Sequence, residues 1–346
     1  MKLKLSFIFA GLALLLVVSF LTALSYGSAA LPLKEIIAVL AQGLQNGLPP
    51  EDGDQGPVYD IIWLLRMPRI ILAMCVGTGL SVAGVIMQAI VKNPLADPYI
   101  LGISSGASLG ATAAILLGAG AFLGENFIGL AAFAGAFATS LLVLIIANLG
   151  GQANAVKLIL SGMALNAVCS AFASFIIYFA NNIEGMQTIS YWLMGSLANA
   201  SWKTLATLVP IVLLGVIFFW SQRNILNIML LGDEAAVTLG YDLQKYRQLY
   251  LLLSSFIVGF VVYAAGMIGF VGLIIPHIIR MLAGSNHTRL IPLAAVAGAI
   301  FLILADLGCR IIIPRTELPI GILISLIGAP AFIYLMVKRT YGFGGK

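Results

Sequence analysis

Charge is so sparse along this chain, and so unevenly placed, that the placement limits the fold before any motif is considered. Ten nearly uncharged runs fall near 5–26, 66–90, 99–119, 127–149, 157–180, 201–220, 249–265, 267–283, 290–313 and 318–337. Each approaches the ~20 residues an α-helix needs to cross the ~30 Å hydrocarbon core of a bilayer. Residues 249–283 form one apolar stretch, too long for one span and slightly short for two; Gly266, Gly269 and Gly272 allow a tight reversal there. Of the 346 residues 61% are apolar and 9% charged, against about 45–50% and about 25% in soluble domains. That excludes a soluble enzyme, which needs charge to cover its surface, and it excludes disorder, which needs low hydrophobicity. Cys75, Cys169 and Cys309 all lie in apolar runs and read as packing residues rather than a disulfide framework. The expectation is an all-α integral membrane protein of about ten helices, one transmembrane domain over 1–346.

The cations set an expected orientation. With the N-terminus inside, Lys2, Lys4, Lys92, Lys157, Arg223, Lys245, Arg247, Arg280, Arg289, Lys338, Arg339 and Lys346 are cytoplasmic. Lys34, Arg66, Arg69, Lys203, Arg310 and Arg315 are external. Twelve against six follows the positive-inside rule and places both termini in the cytoplasm. Two long hydrophilic connections result, an external loop over 28–60 and a cytoplasmic segment over 221–248. Lys2, Lys4 and Ser28-Ala29-Ala30 also resemble signal-peptide flanks, but the apolar run between them exceeds the 7–15 residues of a signal h-region. A retained first helix is the expectation.

Catalytic and cofactor motifs fail on context. Gly345-Lys346 has no Ser or Thr after it and no preceding strand, so no Walker site is expected. Gly102-Ile103-Ser104-Ser105-Gly106 matches a nucleophile pattern, yet it opens a membrane helix and lacks a base. Gly102, Gly106 and Gly110 read better as small-residue steps for close helix contact. His277 and His287 suit capping or packing better than metal ligation. Asp306 is a costly carboxylate within an apolar span, and Arg310, one helical turn on, is its expected partner.

Four longer constellations remain. They are Arg66-Met-Pro-Arg69 with Gly79, Gly84, Gln88 and Lys92-Asn-Pro-Leu-Ala-Asp-Pro98; Leu231-Gly-Asp-Glu-Ala-Ala-Val-Thr-Leu-Gly240; Gly269-Phe-Val-Gly-Leu with Pro276-His277 and Arg280; and Ala305-Asp306 with Arg310, Glu317, Gly321 and Gly328-Ala-Pro330. Through them the chain resembles, over about 60–340, the FecCD-type permeases of binding-protein-dependent ABC importers, which carry ferric siderophores, haem and cobalamin. The resemblance implies a type II importer permease: ten helices per subunit, two subunits around a pathway, two cytoplasmic ATPases beneath and a binding protein above. No cofactor is expected on this chain, ATP and Mg belonging to the partner ATPase, and no nucleic acid is expected. The setting implied is a bacterial or archaeal plasma membrane.

The resemblance also implies roles. Arg66, Arg69 and Arg310 would hold carboxylates of the binding protein, where arginine's planar fork suits bidentate pairing; snorkelling headgroup anchors are the plainer alternative. Asp233, Glu234, Ala236, Leu239 and Gly240 would form a coupling helix in a groove of the ATPase. The residues agree, with acids at the helix start and glycine suited to its end, although a mere connecting surface helix would look similar. Ser161, Gly162 and Asn166 would line the pathway, with Asn154, Ala155 and Val156 at its cytoplasmic gate. An ion-coupled secondary transporter using Asp306 is the competing reading; it would want several inward ionisable residues and an inverted repeat.

Overall fold

The structure, a computed structural model, describes residues 2–27, 31–46, 56–124, 126–149, 151, 153–313 and 316–338. Among these, every regular element is helical. In chain order they are α1 (Lys2–Ser25), α2 (Leu33–Asn46), α3 (Pro57–Asp60), α4 (Met67–Val91), α5 (Ile103–Leu117), α6 (Phe127–Asn148), α7 (Ala155–Ala180) and α8 (Ile183–Leu193). Then follow α9 (Trp202–Ser221), α10 (Arg223–Leu231), α11 (Asp233–Thr238), α12 (Leu243–Ala265), α13 (Val271–Ala283), α14 (His287–Ile311) and α15 (Ile320–Lys338). Each of the ten expected spans contains a helix. Seven are long and apolar enough to cross a bilayer, and three shorter apolar helices complete the set.

Helix α4 is the buried spine. A π-turn over Ile61–Arg66 joins it to α3, so the helix runs from Pro57 rather than from 66. Pro68 explains the wide turn, because it donates no N–H and its ring collides with a carbonyl one turn back. The 28–60 segment is therefore more than a loop: it holds α2 and the start of this span. Arg66, expected as an external cation, has its side chain buried. Trp63 in the π-turn seats α2, since a Cβ on Gly43 would lie 2.3 Å from its ring.

Glycine sets the spacing around α4. A Cβ on Gly77 would sit 2.1 Å from the Gly298 carbonyl oxygen of α14, and one on Gly84 would sit 1.9 Å from that of Gly272 on α13. No residue with a side chain fits between backbones that close. The expected small-residue steps of α5 do the same: a Cβ on Gly106 would meet the Gly135 oxygen at 2.4 Å, and one on Gly110 would meet the Ala131 oxygen at 2.1 Å.

The reversal in 249–283 is a non-helical stretch over Gly266–Phe270, with Gly266 at φ 68°. Gly272, expected in that reversal, lies inside α13. Helix α13 spans only about 20 Å, and the extended residues before it pack on Gly195 and Gly321. Irregular backbone is tolerable at that depth because it is covered by protein.

Gly298→Ala should cost about 1–3 kcal/mol through overpacking and lower the melting temperature in detergent. Gly11→Ala, with nothing within 4 Å of its added methyl, should leave that temperature unchanged or raise it.

Candidate functional site

The two ends of α4 carry the polar chemistry, separated by about 35 Å along the helix, close to the thickness of a bilayer core. At its N-terminal end, Arg69 Nε donates to Asp306 Oδ1 at 2.8 Å, and Arg310 Nε lies 3.1 Å from Asp306 Oδ2. Arg69 Nη1 also pairs with Glu317 at 2.8 Å. The expected one-turn pair of Asp306 and Arg310 is present. Arg69, from a helix 237 residues away in sequence, is the partner no local spacing could reveal.

Arg66 and Arg310 reach across to α1. Arg66 Nη1 donates to the carbonyls of Leu24 and Ser25, and Arg310 Nη1 to those of Ala23 and Tyr26, at 3.5 and 3.4 Å for the latter pair. The last turn of a helix leaves carbonyls without intrahelical donors, and cations complement its dipole. All three arginines therefore act as an internal clasp between α1, α4 and α14. Their side chains are turned inward, Arg69 and Arg310 only 13% and 6% exposed. Neither a free docking fork nor a snorkelling anchor describes them in this conformation. Glu317 is the half-exposed member, at 51%; Arg315 lies outside the described residues.

Asp306 has both oxygens facing guanidinium groups, which is the arrangement of a structural clasp and not of a proton relay. Secondary transport through Asp306 is not favoured.

At the other end, α11 follows a break at Gly232, whose φ is 106°. Its C-terminus forms the Schellman pair anticipated for glycine: Tyr241 N–H donates to Ala236 O and Gly240 N–H to Val237 O, both at 2.9 Å, with Gly240 at φ 81°. The five expected coupling residues divide. Glu234, Leu239 and Gly240 are exposed, and Val237 and Leu239 present apolar surface at 71% and 56% exposure. Ala236 is fully buried and serves as the foot of the helix. Asp233 Oδ1 turns inward to Arg247 at 2.8 Å and Lys92 at 3.1 Å. Burial pushes the Asp233 carboxyl up, but these two cations outweigh it and hold it below the ordinary carboxylate range.

The pathway residues also divide. Ser161 and Gly162 are buried in the seam between α7 and α5, where the Gly162 carbonyl faces Gly102; they do not face an open side. Asn154 caps α7, accepting from Lys157 N–H at 2.9 Å; it and Val156 are exposed, and Ala155 is half-buried. Asn166 is exposed and lines a groove of about 570 Å³ with Leu95, Asp97, Tyr99, Phe270 and Phe332. Burial pushes the Asp97 carboxyl up to about 6, against the Tyr99 N–H that it accepts.

His287 holds structure: it is buried, its backbone N–H donates to Asn227 Oδ1 at 2.9 Å, and its Nδ1 meets the same atom at 2.9 Å. Among the described residues no cluster of His, Cys, Asp and Glu could hold a metal ion.

A bundle of ten apolar helices, clasped by ion pairs at one end and presenting a short helix with exposed Val237 and Leu239 at the other, is the architecture of a multi-pass membrane protein. The chain belongs to the FecCD transport family, whose model matches residues 15–338. It is 39% identical over 330 residues to the uncharacterized ABC transporter permease protein YvrB of Bacillus subtilis, covering 94% of this chain and 92% of that one. It is 39% identical over 282 residues to the vitamin B12 import system permease protein BtuC of Salmonella arizonae, covering 81% and 83%. A solved structure of the metal-chelate type of ABC transporter, in an inward-facing conformation, matches with a TM-score of 0.81 and 34% identity over 96% of this chain and 99% of that one.

The clasp predicts an order of stability. Arg69→Ala leaves Asp306 buried with one cation and should cost roughly 2–5 kcal/mol, read as thermal unfolding in detergent. Glu317→Ala removes an exposed pair and should cost about 0.2–1 kcal/mol.

Because the folded Asp233 carboxyl titrates below its unfolded value of about 3.9, its stabilisation is complete above that value. It is lost as pH falls through the folded pKa. Asp233→Asn should therefore flatten the fall in melting temperature below about pH 4.

Proposed function

We propose that this chain is the membrane permease subunit of a binding-protein-dependent ABC importer whose cargo is an iron complex, ferric siderophore or haem, or cobalamin. Two copies enclose the pathway, and two separate ATPase subunits bind ATP and Mg. A substrate-binding protein delivers cargo from outside, and both termini lie in the cytoplasm with α11. This chain itself holds no cofactor and catalyses no reaction.

The observation that carries the reading is α11. A helix of six residues, stopped by a Schellman glycine and anchored through Ala236, offers Glu234, Val237 and Leu239 outward in a protein of this family. Large apolar side chains exposed beyond a membrane span favour a protein partner, and a groove on the ATPase is the occupant. Cargo class is supported by the relatives, one a vitamin B12 import permease and the other a metal-chelate type transporter.

Docking of the binding protein is assigned to the opposite end, where Arg66, Arg69 and Arg310 fix the shape of the rim. Glu317 occupies the outer side of Arg69, and an exposed pair of about 0.2–1 kcal/mol is weak enough for a partner's carboxylate to displace it. The pathway is assigned to the open side of α7 at Asn166, with Asn154, Ala155 and Val156 at its inner mouth.

Co-expression with the cognate ATPase should yield a complex of two permeases and two ATPases. Leu239→Asp should abolish co-purification while leaving the permease monodisperse. In vesicles, uptake should require ATP and survive collapse of the proton and sodium gradients. Uptake that follows an ion gradient without the ATPase would overturn the reading.

A further inference from the structure

Asp233 sits at the first position of α11 with its side chain half exposed, yet one carboxylate oxygen is held by two cations from other elements. Its two partners come from different bodies. Arg247, 6% exposed, belongs to the first turns of α12, and Lys92 stands just past the last residue of the α4 spine. The second pair ties α11 to residues 92–99, the stretch that walls the groove beside Asn166 through Leu95, Asp97 and Tyr99.

That stretch is stiffened locally. Lys92, at φ 54°, closes α4 with the same pattern as α11: its N–H reaches Ala89 O at 3.4 Å and the Asn93 N–H reaches Gln88 O at 3.2 Å. Asn93 Oδ1 accepts the Leu95 N–H at 2.9 Å, and Asp97 Oδ1 accepts the Tyr99 N–H at 2.8 Å. These side-chain turns alternate with Pro94 and Pro98, whose rings fix φ. At the root of the stretch, the buried Gln88 side chain accepts from Arg280 Nη2 at 2.7 Å, which binds it to α13. Helix α13 begins directly after Phe270, another wall of the same groove.

We propose that Asp233 is a transmission latch: paired with Lys92, it makes the Asp233–Thr238 helix and the 92–99 segment beside the groove move as one body. This rests on the reading of α11 as the coupling helix and deepens it. The two salt bridges divide the work. Arg247 seats α11 on α12, and Lys92 carries any displacement of α11 to the groove. Glu234, the neighbouring acid, is also exposed.

Because the two bridges are separable, Lys92→Gln cuts the transmission while Arg247 still seats the helix. Spin labels are placed at Thr238→Cys and Leu95→Cys in the full chain, with the buried Cys75, Cys169 and Cys309 changed to serine. In lipid nanodiscs the wild-type pair should give one narrow distance distribution. Lys92→Gln should broaden it about twofold with the melting temperature unchanged, and Lys92→Arg should restore it. In the ATPase complex, ATP should leave the Thr238–Leu95 distance unchanged in the wild type, where both labels travel together, and change it in Lys92→Gln, where α11 moves without the 92–99 segment. An unchanged distribution in Lys92→Gln overturns the inference. So does a fall in melting temperature alongside the broadening, which would make the pair a fold staple. A wild-type chain that binds no ATPase would sink the reading of α11 instead, while the distances in the isolated permease would still decide the latch.

Discussion

The backbone contact between α4 and its neighbours governs everything else in this bundle. Within a bilayer, apolar side chains gain little by meeting each other rather than lipid, so helices are held by close packing and polar contacts. Gly77 against Gly298 and Gly84 against Gly272 bring α14 and α13 within backbone reach of α4. Once those helices are fixed on α4, Arg69 meets Asp306 at one end and Gln88 meets Arg280 at the other. The polar groups could not be satisfied at any looser spacing.

The same logic explains why the chain can afford charge where it does. Asp306 is 1% exposed, a burial that would be prohibitive alone, and two arginines on different helices face its two oxygens. Arg66 and Arg310 each donate through Nη1 to the carbonyls that end α1. The cluster therefore ties a helix with little cover from the rest of the protein to the most buried of the spans. At the opposite end Asp233 joins α11, α12 and the end of α4 in the same way. Each end of the spine is closed by a carboxylate between two cations, one deeply buried and one half exposed.

Between the ends, α7 is covered along one narrow seam and open elsewhere. Leu158, Ser161, Gly162, Leu165, Cys169 and Ala173 are its buried positions, an i, i+3, i+4 stripe against the neighbouring helices. Asn166 lies off that stripe. A helix with a single packed edge suits the boundary of a pathway or of a second subunit, and it separates Ser161 and Gly162, which hold the seam, from Asn166, which faces the groove.

By sequence alone the membrane character, the ten helices, the small-residue steps on α5, the Asp306–Arg310 pair and the glycine stop of α11 were all legible, because each depends on composition or on spacing within a few residues. The family was legible too, through motifs read in order along the chain. Tertiary structure decided the rest. Sequence spacing carries no sign that Arg69 faces inward to Asp306, or that Asp233 points to Lys92 and Arg247 while Leu239 points away. Nor does it show that Ala236 and Ser161 are buried while Asn166 is open. Such properties arise only when helices far apart in the chain are brought to backbone contact, since the partner that determines a side chain's direction then lies on another helix.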